Sequence, residues 1–307
     1  QKLCREKRRY KMLAIYKKEL RSYFTSMIGW IFIAFFLVLA GLYFMVYNLI
    51  NGYTDFSVIF QGMQMFFILL LVPVLTMRII AEGNRQKTDQ LLYTSPVSVT
   101  KIIFGKYLAL VTLLAIAMLI LSVYPLILSG LVKGVATGTE SVDFAIAYGS
   151  ALGFFLLGSA YIAIGMFISS LTESQVIAAV ASGVIMIFTY LMSSLAVMLP
   201  TGHTFVFWFL AVLVLILAFV LNMWIHNGWL SALIGIVAEA GLTAAFILNT
   251  EAFDNLLGNT LSSISIVDRY SNFALGIFDV SALIYYISVS FLFVFITIQR
   301  IKKKRWN

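Results

Sequence analysis

Apolar runs of about 20 residues or more alternate with short polar links along nearly the whole chain, the length a helix needs to cross a bilayer. The runs are Ile28–Tyr47, Val58–Ile80, Ile102–Gly130, Phe144–Ser169, Gln175–Leu199, Phe205–Ile225, Leu230–Asn249 and Val280–Ile298. The sixth and seventh are joined by only His226-Asn227-Gly228-Trp229. They either cross the membrane or dip into it as a hairpin, so the pattern predicts an all-α polytopic membrane protein of six to eight spans. Both counts are even and leave the two ends on one side. Before the first run, Met12, Tyr16, Leu20, Tyr23, Phe24 and Met27 recur at spacings of three and four, with Lys17, Lys18, Glu19 and Arg21 between them. That spacing predicts an amphipathic helix lying in the headgroup layer. The expected organisation is a basic tail and amphipathic helix over 1–27, one transmembrane domain over 28–300, and a basic tail over 301–307. Met12 offers an alternative start, which would place residues 1–11 outside the functional unit.

Charge orients this framework. Of the lysines and arginines, nine precede the first run, five lie from Arg78 to Lys106 and five follow Thr297, leaving only Lys133 and Arg269 on the other side. The positive-inside rule makes the basic side the cytoplasm, so both termini are expected there. Asp55, Glu140, Asp143, Glu251, Asp254, Asp268 and Asp279 fall on the opposite side. The net charge of +8 therefore reflects topology rather than nucleic-acid binding. Hydrophobic residues make up 62% and charged residues 11% of the chain; soluble domains carry about 25% charged residues, which excludes a globular domain with a single anchor. The single cysteine, Cys4, excludes an internal disulfide. Outside the spans, Leu131–Asp143 reads as a short link and Thr250–Asp279 as short amphipathic helices on the outer leaflet.

The longest polar interruption, Ile80–Lys106, sets Arg85, Lys87, Lys101 and Lys106 against Glu82 and Asp89. Such a loop must face water, because lipid satisfies neither charge nor free backbone. Thr88–Tyr93 reads as a short helix: Thr88 caps it, Asp89 suits its N-terminal dipole, and Leu91 and Leu92 give it an apolar face. Ser95-Pro96 stops it, and Ser98 is positioned to cap the next helix. A stiff surface helix with two leucines, held between two spans, suits a part that another body pushes on; the alternative is an ordinary loop that folds locally. A second turn on the same side, Ser169–Gln175, contains Thr172, Glu173 and Ser174, with Thr172 or Ser174 as cap of the following helix.

Catalytic constellations are missing. His203 and His226 fall on opposite faces in the eight-span reading, so they form no zinc pair, and no metal site is expected. A phosphate-binding G-x-x-x-x-G-K-[ST] loop is absent: Gly105-Lys106 precedes Tyr107, and Thr100 stands where the first glycine belongs. The chain is therefore not expected to be an enzyme. Glu239 is the only acidic residue deep in a run, a candidate for an ion pathway or for a hydrogen-bonded packing residue. Gly149 and Gly153 form a small-xxx-small pattern for close helix packing. Pro73 and Pro125 are expected to kink their spans, and the aromatic residues, 15% of the chain, are expected mostly at lipid or the interface.

The order of several motifs resembles the permeases of ABC-2 type exporters. Glu82, Thr88, Leu91, Leu92, Thr94, Pro96, Val97, Ser98, Gly105 and Lys106 are similar to that family's first cytoplasmic loop. Ile15–Phe24 is similar to the elbow helix of its gliding-motility-type branch, through Tyr16, Lys17, Glu19 and Leu20. Ile168–Gln175 resembles the turn after that branch's fourth span, while Tyr270, Phe273, Gly276, Asp279 and Tyr285-Tyr286 resemble its C-terminal pattern. Gly83-Asn84 stands where the family carries a charged pair, and Phe205–Asn249 exceeds its usual six spans. The resemblance implies a type V-like transmembrane domain with an N-terminal elbow helix and a cytoplasmic coupling helix. It also implies a partner permease, identical or homologous, and separate ATPase subunits that carry ATP and Mg. The expected ATPase-coupling residues are Glu82, Arg85, Lys87, Thr88, Asp89, Leu91, Leu92, Ser95 and Pro96, with Thr172 and Glu173 in the second turn. The competing class is an ATP-independent transporter or channel using Glu239.

Overall fold

The computed structural model describes residues 2–85, 98–135, 142–198, 200, 202–225, 228–254 and 256–306, and every regular element among them is helical. In chain order they are α1 (Lys2–Thr25), α2 (Met27–Tyr43), α3 (Ser57–Phe66), α4 (Val72–Thr76), α5 (Ala81–Arg85), α6 (Val99–Leu121), α7 (Tyr124–Val135), α8 (Phe144–Ser169), α9 (Gln175–Met198), α10 (His203–Ile225), α11 (Gly228–Leu248), α12 (Leu256–Ile264), α13 (Ser271–Ala274) and α14 (Val280–Trp306). Among the described residues, six helical stretches are long and apolar enough to cross a membrane: Met27–Ile50, Ser57–Gly83, Val99–Leu131, Phe144–Ser169, Gln175–Ala196 and Val280–Lys303. Two shorter apolar stretches, 203–216 and 233–248, lie in α10 and α11, which pack on each other. The chain divides into two compact units, 1–188 with 269–307, and 189–268.

In the first unit α8 is the centre, and its sequence shows why. Gly153, Gly158 and Gly165 recur among alanines and serines on the buried side, so neighbouring helices come close. A Cβ on Gly158 would sit 2.6 Å from Leu114 Cδ2 and 3.0 Å from Phe67 Cζ. Phe154 sits in a buried aromatic cluster, with ring centroids 4.8 Å from Phe67, 5.1 Å from Phe60 and 6.3 Å from Phe36. Many aromatics thus form the core instead of facing lipid. Inside a bilayer this burial replaces lipid contact rather than water contact, so its gain is close packing and dispersion.

Both prolines mark irregular turns. Before Pro73 the helix widens to a π-helical stretch, Phe67–Leu71, and the Val72 N–H bonds to the Phe67 carbonyl, five residues back. The wider turn accommodates a ring that would clash with the carbonyl of Leu69, four residues before it. Gly183 of α9 lies opposite: a Cβ there would be 3.8 Å from the Leu69 oxygen and 3.9 Å from the Pro73 ring. Pro125 follows the break at Ser122–Val123 and falls in the first turn of α7, where its missing N–H has no intrahelical role.

The second unit is organised around Val206, Phe253 and Leu257, with Leu242 and Phe246 of α11 packed on them. The Asp254 carboxylate accepts from the His203 backbone N–H at 3.1 Å and lies 3.2 Å from its Nδ1, closing the start of α10. The expected short helices of the Thr250–Asp279 segment are present as a 3-10 turn Thr250–Phe253, α12, a 3-10 turn Asp268–Tyr270 and α13.

Candidate functional site

The second and third spans meet the Ile80–Lys106 loop at a polar root. The helix of span two stops at Thr76, four turn residues follow, and α5 restarts at Ala81. Such a break frees backbone groups that must find partners, and side chains from two other spans supply them. The Ser169 hydroxyl, at the end of α8, donates to the Met77 carbonyl (3.1 Å) and accepts from the N–H groups of Ile80 (3.4 Å) and Ala81 (3.2 Å). The Lys106 ammonium, from α6, donates to the Ile79 carbonyl at 2.7 Å, and the residue is only 4% exposed. One turn earlier, the Thr76 hydroxyl donates to Val72 O at 2.9 Å and its side chain fills the space that a Cβ on Gly165 would take. Arg78 pairs with Glu82 on the outer side of the turn. A partly exposed pair at this spacing contributes little energy, so its effect is to orient the start of α5.

α1 adds a fourth tie. Ile15 and Tyr23 are buried, the Tyr23 hydroxyl donates to the Leu75 carbonyl at 3.2 Å, and Tyr16 shares a 3.1 Å hydrogen bond with Thr112 of α6. Burial pushes the Tyr23 phenol well above its ordinary pKa, so it stays protonated. Gly105 lets the two helices approach: a Cβ there would lie 3.3 Å from Ile15 Cγ2 and 3.5 Å from the Met12 carbonyl. Gly29 does the same for the bend into α2, where a Cβ would meet the Tyr23 carbonyl at 2.6 Å. The elbow helix is therefore a packed element with Ile15 and Tyr23 inward, while Met27, expected on its apolar face, is 79% exposed. Lys17 is exposed, and Glu19 and Leu20 are half-buried.

Of the expected coupling residues, Glu82 and Arg85 belong to α5, and Lys87, Thr88, Asp89, Leu91, Leu92, Ser95 and Pro96 lie outside the described residues. Ser98 occupies the cap position of α6, but its side chain makes no capping bond; its carbonyl accepts from Lys101 and Ile102. In the second turn Thr172 accepts from the Ser174 N–H (3.1 Å), and the Ser174 hydroxyl caps α9 by accepting from Ile177 (3.4 Å). Glu173 stands between them. Glu239, in the second unit, is half-buried with Oε1 out of reach of any hydrogen-bond partner. His226 lies outside the described residues, and among the described residues no cluster of His, Cys, Asp and Glu could hold a metal.

At the far ends of these helices the acidic residues are caps. Asp55 accepts from Ser57 N (2.8 Å), Asp143 from Ala145 N (2.8 Å) and Asp279 from Ser281 N (2.8 Å), where a negative charge also suits the helix dipole. Asn272 donates to Asp279 at 2.8 Å and, with the cap bonds, holds its carboxyl below the usual range. The segment that Asp279 closes is seated on the Gly149/Gly153 pair. A Cβ on Gly153 would meet the Phe273 side chain at 2.5 Å, and Gly149 faces the Gly276 Cα and the Phe273 carbonyl at 3.9 Å. Gly276 adopts φ +76°, a turn that favours glycine. Tyr270 is buried against Phe154, ring centroids 6.2 Å apart, and burial raises its phenol pKa. The small-xxx-small pattern thus receives a loop plug, built by four residues of the C-terminal motif, Tyr270, Phe273, Gly276 and Asp279.

Sequence reasoning missed the inward role of Lys106, the triple use of Ser169 and the Thr76–Gly165 contact. Gly105-Lys106 and Ser169 did stand inside the motifs singled out, which was the available signal.

A helical bundle with six stretches long and apolar enough to cross a membrane, in which the turn Met77–Ala81 is hydrogen-bonded to α6 and α8, has the architecture of the membrane subunit of a transporter. A family model described as ABC-2 family transporter protein matches residues 13–298, and the chain belongs to that family. It is a permease subunit of an ABC transporter, a class that associates with an ATP-hydrolysing subunit. No curated protein and no solved structure matches the chain significantly.

Proposed function

We propose that this permease is an exporter subunit that works as a pair, with an identical or homologous second copy, in a bacterial plasma membrane. Both termini and the Ile80–Lys106 loop face the cytoplasm, where separate ATPases binding ATP and Mg engage the loop. The segment 88–93 is the coupling segment: Leu91 and Leu92 enter a groove on the ATPase while Arg85, Lys87 and Asp89 meet its rim. Lys17 and Glu19 of α1 and Thr172 and Glu173 of the second turn lie in positions to add contacts. The gliding-motility-type branch fits the α1 motif best.

The observation that carries this reading is the polar root. One turn, Met77–Ala81, is hydrogen-bonded to α6 through Lys106 and to α8 through Ser169, and α4 is bonded to α1 through Tyr23. Displacement of the loop by a closing ATPase pair therefore reaches four helices together, and tilting them switches the conduit between the two permeases. Leu91→Glu with Leu92→Glu should abolish co-purification of the ATPase while the permease still inserts. Retained ATPase binding by that variant overturns the coupling assignment.

A second reading draws on Glu239, whose Oε1 is buried without a partner: an ATP-independent transporter with Glu239 in an ion pathway. Transport in vesicles lacking any ATPase, lost in Glu239→Gln, would establish it in place of the first.

A further inference from the structure

A groove of about 490 Å³ runs along the first unit between α6, α8 and α14. Thr100, Phe104 and Tyr107 form one wall, and the row of α14 from Ile287 to Ile298 forms the other. Ser159 and Ser290, small and buried, let the slot run deep between the helices. Tyr107 closes the floor by donating to the Ser159 carbonyl at 3.2 Å. Phe104 and Phe291 are 40% and 70% exposed and stand proud on either side.

Dimensions and charge identify the occupant. From Ile287 to Ile298 the rise is about 16 Å at 1.5 Å per residue, the depth of one leaflet of a ~30 Å hydrocarbon core. The groove, about 490 Å³ over that length, matches a slender apolar chain lying along it. At the Thr100–Ile298 end the chemistry changes sign. Lys302 follows Ile298 by one helical turn on the same row and is exposed, with Arg300 and Lys303 exposed beside it.

We propose that this groove binds one acyl chain of an anionic phospholipid, with its phosphate held by Lys302. The site serves a resident lipid of the leaflet at the basic end. It needs only that the chain lies in a bilayer, so it stands or falls separately from the exporter reading.

The test uses the full chain in phosphatidylcholine vesicles containing a trace of phosphatidylglycerol with a photoreactive acyl chain. Labelling is read by mass spectrometry on the α14 peptide around Phe291 and Phe295, and on the lipid-facing side of α2 around Ile31 and Val38 as reference. Photoreactive phosphatidylglycerol should label α14 in preference to α2, and excess unlabelled phosphatidylglycerol should remove that excess while phosphatidylcholine does not. Lys302→Gln should lower the preference about five-fold, the effect of one basic residue at an anionic surface. Val294→Trp, which fills the slot, should abolish it. Equal labelling of α14 and α2, indifference to headgroup, or an α14 peptide shielded by a copy-to-copy crosslink at Phe291→Cys each overturns the proposal.

Discussion

Lys106→Met removes the hydrogen bond that ties α6 to the turn beneath the loop. Methionine keeps the unbranched shape and much of the volume, so packing changes little; what disappears is the ammonium on the Ile79 carbonyl, 2.7 Å away and buried. A hydrogen bond to a charged group contributes about 1.5–3 kcal/mol, and losing it strands an acceptor. Relief of the desolvation of the ammonium offsets part of this. A net loss of about 2 kcal/mol remains, about thirty-fold in a local equilibrium at 1.4 kcal/mol per factor of ten. Native-state hydrogen exchange reads that number directly, because opening of the root exposes the Ile80, Ala81 and Glu82 amides. Their exchange should accelerate about thirty-fold, while the amides of α8 from Leu157 to Ala163 keep their protection. Under the proposed coupling through Leu91 and Leu92, transport-coupled ATP turnover should fall with the ATPase still bound. Acceleration below about three-fold at all three amides, or equal acceleration along α8, would mean that the root is not a local clamp and would refute the argument. Ser169→Ala supports the same turn, so the two substitutions combined should be non-additive, with a coupling of about 0.5–3 kcal/mol.

Gly165→Ala drives a methyl group into Thr76, and overpacking of this kind costs about 1–3 kcal/mol; a lowered melting temperature restored by adding Thr76→Ala is the expected result. Gly153→Ala should lift Phe273 off α8, read as faster proteolysis at Tyr270–Phe278 with the rest of the chain intact. Asp143→Ala removes the cap of α8 and should lower stability by about 1 kcal/mol, measurable by thermal unfolding in detergent. The buried Tyr23 phenol has a raised pKa, so the unfolded chain releases its proton near pH 10 while the folded chain holds it. Its stabilising contribution is present below that pH and is lost as pH rises above it; Tyr23→Phe should flatten the fall in stability between pH 10 and about 11.5.

The helices were legible because lipid leaves the backbone one regular option, and most apolar runs end within a few residues of them, while the run written as Val280–Ile298 stops short of α14, which continues to Trp306. The run written as Phe144–Ser169 and α8 coincide. The break at Ser122–Val123 was not legible: Pro125 announced a kink but not that two residues before it would leave the helix. Charge counting read Lys106 as one more basic residue of a wet loop. Its long aliphatic stem carries the ammonium inward to a carbonyl freed by a helix break, and that break has no local signature in Met77–Ile80. Periodicity placed Tyr16, Tyr23 and Met27 on one face of α1, yet the bend at Ser26 turns Met27 away from Tyr23. The Gly149/Gly153 pattern signalled close approach correctly, but what approaches, a loop more than 100 residues later, is a tertiary fact.

The widened coil before Pro73 gives the second span a surplus residue. Such slack can migrate: if the surplus moves by one position, everything on one side of it screws through about 100° with almost every backbone bond retained. Because Met77–Ala81 is hydrogen-bonded to α6 and α8, the rotation would be delivered toward Phe60, at the other end of the span. A pull on the Ile80–Lys106 loop would then arrive at the far end of the second span as torsion, without any span having to slide along its neighbours.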